Sequence, residues 1–131
     1  MILDTSALMA ILLQEPEAEV FSRALETAPI VRLSIVSYLE TAIVVDRRGD
    51  PVRSAMLDEF LLEFNVRLEP VTVDQGRLAR EAFRAFGKGR HPAGLNLGDC
   101  FSYALAKSMR ERLLCKGNDF AQTDLGVLFE D

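Results

Sequence analysis

Two spacings of apolar residues alternate along the chain. Short runs such as "MILD", "IVRLS", "VRLEPV" and "RLLCK" have the length and aliphatic character of buried strands. Longer stretches between them carry apolar residues three and four apart, the period of a helix. "TSALMAILLQ" predicts a first helix with Thr5 or Ser6 as its cap. Pro16 is placed to open a second, "PEAEVFSRALET", with Val20, Ala24 and Leu25 at helical spacing. "IVSYLETAIVVDRR" predicts a third, ended by Gly49, and "PVRSAMLDEFLLEF" a fourth, with Met56, Phe60 and Phe64 on one face. "VDQGRLAREAFRAFG" is a fifth, capped near Asp74 and ended by Gly87. "KGRHPAGLNLG" is a Gly/Pro-rich loop, "DCFSYALAKSMRE" a sixth helix, and the tail predicts a turn or short helix with an edge strand near "VLF". Strands alternating with one or two helices predict an α/β domain: a parallel sheet covered by helices on both faces. Ligands in such sheets bind beyond the carboxyl ends of the strands, where strand order reverses.

Composition narrows the picture only a little. The 131 residues suit one domain, 1–131, and 49% hydrophobic content with 27% charged is ordinary for a globular protein. Cys100 and Cys115 form no CxxC pair and read as reduced thiols, which points to the cytoplasm. No apolar run approaches the roughly 20 residues of a membrane span, and the opening residues lack the basic start of a signal peptide. The net charge of −5 argues against a broad basic coat for nucleic acid. The bases do cluster, in Arg47, Arg48 and Arg53, in "GKGRH" from Gly87 to His91, and in Arg110, Arg112 and Lys116. A basic rim around an acidic centre is compatible with that balance, and so are solvated faces.

Four acids stand where chemistry is expected. Asp4 ends the first strand, Asp99 opens the sixth helix, Asp119 follows the fourth strand, and Glu40 lies mid-helix beside Val36, Ile43 and Val44. Each aspartate taken alone reads better as a cap or turn residue, Asp119 most of all. Glu40 has no basic residue three or four positions away to neutralise it, so it is either an exposed acid or an inward one that needs a partner. Together the four are harder to dismiss. Two carboxylates 4 Å apart repel by about 4 kcal/mol at an effective dielectric near 20. A hard divalent cation such as Mg²⁺ or Mn²⁺ removes that repulsion and serves hydrolysis of phosphodiesters. Other chemistries lack their residues: His91 has no zinc-ligand companions, and there is no nucleophile elbow, P-loop or dinucleotide fingerprint.

The chain resembles the PIN-domain ribonuclease toxins of the VapC type. The likeness rests on "MILDTSALMAILLQEPEAE" with Asp4, "LSIVSYLETAIVV" with Glu40, "HPAGLNLGDCFSYALAK" with Asp99, and "LLCKGNDFAQTDL" with Asp119. Many members read T-x-D-x-D-F in the last motif, where this chain has Cys115 and Gly117 in place of the Thr and the first Asp. The resemblance implies a three-layer PIN-like fold with a sheet of four or five parallel strands and about six helices. It implies an endoribonuclease, the toxin of a toxin–antitoxin pair, with Mg²⁺ or Mn²⁺ held by Asp4, Asp99 and Glu40, and with Asp119 completing a catalytic set of four. Thr5, Ser6 and Asn118 would support these ligands, and Lys88, Arg90, His91 and Lys116 are candidates for the RNA backbone on charge alone. A homodimer is implied, as is a VapB-type antitoxin, of a kind that often inserts an Arg among the acids. Two other readings stay open at this point. One is a non-catalytic PIN scaffold that binds RNA or a protein, favoured by Gly117. The other is a small phosphatase, disfavoured because Ser6 stands where its second aspartate belongs.

Overall fold

The structure is a computed structural model that describes residues 1–127. Four short strands are interleaved with six helices: β1 (Ile2–Leu3), α1 (Thr5–Leu12), α2 (Ala18–Thr27), β2 (Arg32–Ser34), α3 (Ile35–Asp46), α4 (Pro51–Glu63), β3 (Arg67–Glu69), α5 (Val73–Phe86), α6 (Leu97–Met109) and β4 (Leu113–Leu114). A 3₁₀ turn, Phe120–Gln122, follows. All strand pairings are parallel and the order is β3-β2-β1-β4. From β1 the chain steps one way to β2 and β3, then returns to place β4 on the other side. The order therefore reverses between β1 and β4, and the carboxyl ends of those two strands define the crevice where such folds bind ligands.

The strands are two or three residues long; β1 and β4 at the centre of the crevice are wholly buried, whereas β3, at the sheet's outer edge, is largely exposed. One face is covered by a cluster containing Ala79 and Ala82 of α5, Tyr103 to Ala106 of α6, and Phe120 and Val127 from the tail. The other is covered by Leu8 and Leu12 of α1, Phe21 and Leu25 of α2, Val45 of α3, and Leu57 and Phe60 of α4. Met56 and Phe64 pack against this second cluster, as the spacing of α4 predicts. At the amino ends of the inner strands Arg32 ties three segments together, pairing with Glu69 (3.2 Å) and Glu111 (2.8 Å), while the α-amino group of Met1 reaches Glu111 at 2.6 Å. Burial pulls the Glu111 carboxyl up, but the hydrogen bonds from Met1 and Arg32 outweigh it and hold the group below its usual range.

Several helix starts differ from the pattern-based expectation. The cap of α1 is Asp4, not Thr5 or Ser6, because Asp4 has the extended backbone that a cap requires and its carboxylate reaches the Ser6 amide. Pro16 lies in the turn before α2, which opens only at Ala18. Thr72 rather than Asp74 caps α5, its hydroxyl accepting from the Gln75 amide. Helix α6 begins two residues early, at Leu97, capped by Asn96, which makes Asp99 the third helical residue and not the cap. The expected edge strand near "VLF" is represented by a single parallel bridge from Val127 to Leu113; Leu128 and Phe129 lie outside the described residues.

Candidate active site

Asp4 stands at the carboxyl end of β1, beside the point of strand reversal, and is only 3% exposed. Its Oδ2 accepts from both the amide (2.9 Å) and the hydroxyl (2.6 Å) of Ser6. The Ser6 hydroxyl in turn accepts from the Lys116 amide (3.0 Å), just past β4. Ser6 therefore fastens the ends of β1 and β4 together through the Asp4 carboxylate. Thr5 donates to Glu40 Oε1 across 3.4 Å. Thr5 and Ser6 thus each hydrogen-bond to one of the acids.

Asp99 sits in the first turn of α6 in a reciprocal capping box. Its Oδ2 accepts from the Asn96 amide (3.0 Å) and its own amide donates to Asn96 Oδ1 (2.9 Å). The side chain is thereby fixed in direction without being neutralised. Burial pushes the Asp99 carboxyl up to about 6; the Asn96 amide opposes this, and Asp4, Asp119 and Glu40 add repulsion. Glu40 is raised as well, first by burial and then by Asp4, with the Thr5 hydroxyl opposing. Glu40 does face inward, against α6, but its sequence neighbours do not share that face: Ile43 is 54% exposed, and the buried residues of α3 are Ser37, Thr41 and Val45. Asp119 is exposed and makes no capping bond to the 3₁₀ turn it precedes.

The four acids thus converge electrostatically at the strand-reversal crevice. Among the described residues, the eight ion pairs engage none of them. Nor do any three His, Cys, Asp or Glu of the described residues form a ready-made cage for a metal ion. What the site does offer a hard divalent cation such as Mg²⁺ or Mn²⁺ is the chemistry of its donors. These ions keep several waters and take only one or two carboxylates directly, and an all-oxygen donor set that lacks a cationic partner is the kind they prefer. Were such an ion bound here, Asp4, Asp99 and Glu40 would be the carboxylates to hold it. The nearby Cys100 thiol is pushed up by burial and by Asp99, which leaves it protonated and inert.

The basic candidates fall into two groups. Lys116 lies beside the acids, but its ammonium is held by Glu15 (3.1 Å) and Glu17 (3.3 Å) from the turn between α1 and α2. Asn118 is exposed next to Asp119, its carbonyl accepting from Gln122 (3.5 Å). Lys88, Arg90 and His91 lie in the loop before α6. Lys88 is exposed, Arg90 stacks 5.9 Å above Phe83, and His91 accepts from the Ala93 amide through Nδ1 (3.0 Å) while its ring edge meets Phe86. The sequence pattern did not single out Glu15, Glu17, Ser37, Ser102 or Gly98. Only Gly98 carried a local signal, being a glycine inside a helix that gains nothing from it.

Residues 1–125 match the family model described as the PIN domain, and the chain belongs to that family. Within it the chain groups with the VapC proteins. Ribonuclease VapC28 of Mycobacterium tuberculosis (strain H37Rv) is 56% identical over 124 residues, spanning 94% of this chain and 93% of that protein. Ribonuclease VapC of Mycolicibacterium smegmatis is 49% identical over 128 residues, spanning 98% and 99%. Among solved structures, Mycobacterium tuberculosis VapC20, a toxin that cleaves the sarcin-ricin loop, matches with a TM-score of 0.74 at 21% identity over 95% of each chain. VapBC2 from Rickettsia felis, bound to a DNA fragment from its promoter, matches with a TM-score of 0.78 at 12% identity over 99% of this chain and 97% of that one.

Proposed function

We propose that this protein is a metal-dependent endoribonuclease, the toxin of a type II toxin–antitoxin pair. The observation that carries the reading is the convergence of Asp4, Glu40, Asp99 and Asp119 at the crevice, with burial and mutual repulsion raising two of them and, among the described residues, no ion pair engaging any of the four. The names of the relatives support RNA as the substrate. A bound Mg²⁺ or Mn²⁺ supplies Lewis-acid stabilisation of the phosphodiester's developing charge and activates water as the nucleophile. The protein's own part is orientation. Ser6 and the Asn96 amide aim Asp4 and Asp99, Thr5 holds Glu40, and Glu40 is placed to orient the attacking water. In the loop before α6, Lys88, Arg90 and His91 are the candidates for RNA phosphates, with Lys88 and Arg90 exposed.

RNA cleavage with millimolar Mg²⁺ or Mn²⁺, abolished by EDTA and restored by excess metal, is the expected result. Cleavage that persists in EDTA would remove the metal from the reading, and a folded protein that binds RNA without cutting it would favour a non-catalytic scaffold.

The proposal includes two protein partners. One is a VapB-type antitoxin, supported by solved relatives that are toxin–antitoxin assemblies. Its test is whether the product of an adjacent reading frame blocks cleavage. The other is a second copy of this chain. Ile35, Leu39 and Ile43 form an exposed apolar ridge along α3, each 40% exposed or more, and Leu97 stands exposed at the start of α6. Light scattering on the isolated chain is expected to read twice 14.6 kDa; a monomer at micromolar concentration would rule this pairing out.

A further inference from the structure

Gly98 precedes Asp99 within the first turn of α6 and is buried. Its backbone does not explain the choice, because its φ lies outside the left-handed region where glycine is favoured, and alanine is the better helix former. What occupies the space of the missing side chain is Glu40. A Cβ built at Gly98 would stand 2.5 Å from Glu40 Oε2, 2.6 Å from Cδ and nearer still to Oε1. The carboxylate thus rests in a niche whose floor is bare backbone.

The two helices are in close contact beside this niche. Ser37, one turn before Glu40 on α3, meets Ser102, one turn after Gly98 on α6, with their hydroxyls 3.3 Å apart. Both side chains are fully buried. Thr41, the residue after Glu40, is also fully buried and donates to the Ser37 carbonyl at 2.9 Å. Small residues therefore set the separation of α3 and α6, and Thr5 holds Glu40 on its other side. The Glu40 carboxylate is the far end of a flexible side chain, so a Cβ at Gly98 would displace it from this position more readily than it would part the helices.

We infer that Gly98 is a positioning residue for Glu40: it keeps the second acid in the cluster by leaving room for its carboxylate against the first turn of α6. The functional half of this inference rests on the nuclease reading above, while the steric half does not. The test is the pair Gly98→Ala and Glu40→Asp, singly and together. Gly98→Ala is expected to lower kcat for RNA by about 10–100-fold with KM little changed. Calorimetric titration of Mn²⁺ into the RNA-free protein should show weakened binding. The shorter side chain of Glu40→Asp draws the carboxylate back by one methylene. Adding Gly98→Ala to that variant is therefore expected to cost less than about 3-fold more. Equal cleavage by Gly98→Ala and the parent overturns the inference, as does the same penalty in both backgrounds.

If Gly98→Ala melts early, Gly98→Ala with Glu40→Ala should recover the melting temperature, because the clashing group is gone; no recovery overturns the niche. This last comparison needs no catalysis. A parent that fails to cut RNA would therefore defeat the nuclease reading and leave the steric inference to stand or fall on the melting data.

Discussion

Asp99→Asn is expected to abolish RNA cleavage and, at the same time, to stabilise the metal-free protein. The loss should be on the order of 10³-fold in kcat, since the substitution removes an anionic oxygen from the site while keeping its shape. The gain follows from the carboxyl's environment. Asp99 ionises near 6 in the folded chain against an ordinary value of 3.8, because burial and three neighbouring acids disfavour its charge. The folded state holds the proton more tightly than the unfolded state, so the penalty is fully present above pH 6 and fades as pH falls toward 3.8. With partial solvent screening taken into account it amounts to about 1–2 kcal/mol. Asn keeps an oxygen for the Asn96 amide and carries no charge. In EDTA at pH 7.5 the variant should melt roughly 3–8 °C above the parent, and the gap should close by about pH 4. Thermal melts at the two pH values check this. A variant that melts below the parent at pH 7.5 would show that the acids are not in conflict.

Leu105→Ala should produce the largest loss of stability. Leu105 lies mid-way along α6, fully buried in the cluster that joins α5, α6, β4 and the tail segment. Truncation removes apolar burial and leaves a cavity that the close-packed alanines of that face, Ala79, Ala82 and Ala104, cannot fill. The cost is about 2–5 kcal/mol, a drop of roughly 8–20 °C in melting temperature. Leu62→Ala is the control: that leucine is 82% exposed on α4, and its loss should stay within about 0.5 kcal/mol. Below its melting transition Leu105→Ala should still cleave RNA, because no side chain of the site is altered. Equal melting of the two variants would mean that the α5–α6 face is not the core described above.

The strands and helices were legible because each strand is a short aliphatic run and each helix repeats its apolar residues every three or four positions. Helix starts were less legible. Asp4, Thr5 and Ser6 are all good capping residues, and only the extended backbone at Asp4 decides among them. Asp99 was visible as an acid at a helix start, but its partner Asn96 was read as loop, which hid the capping box. Of the site, Asp4, Glu40 and Asp99 stood out because each departs from its apolar surroundings. The roles of Gly98 and Lys116 did not, because they depend on pairings that local pattern cannot carry. Gly98 answers Glu40 on another helix, and Lys116 is committed to Glu15, 101 residues away.

The reversal of strand order also sets when the site can exist. Residues 2 and 3 pair with residues 113 and 114, and Asp4 is fastened through Ser6 to the amide of Lys116. These are among the most distant contacts the chain makes, and closing so long a loop is slow and comes late in folding. Asp4 and Glu40 leave the ribosome early, yet they have no Asp99 to meet and no β4 to hold them until α6 and β4 have been made. A growing chain of this architecture therefore cannot assemble its acid cluster one segment at a time: the site comes into being only when the last strand docks.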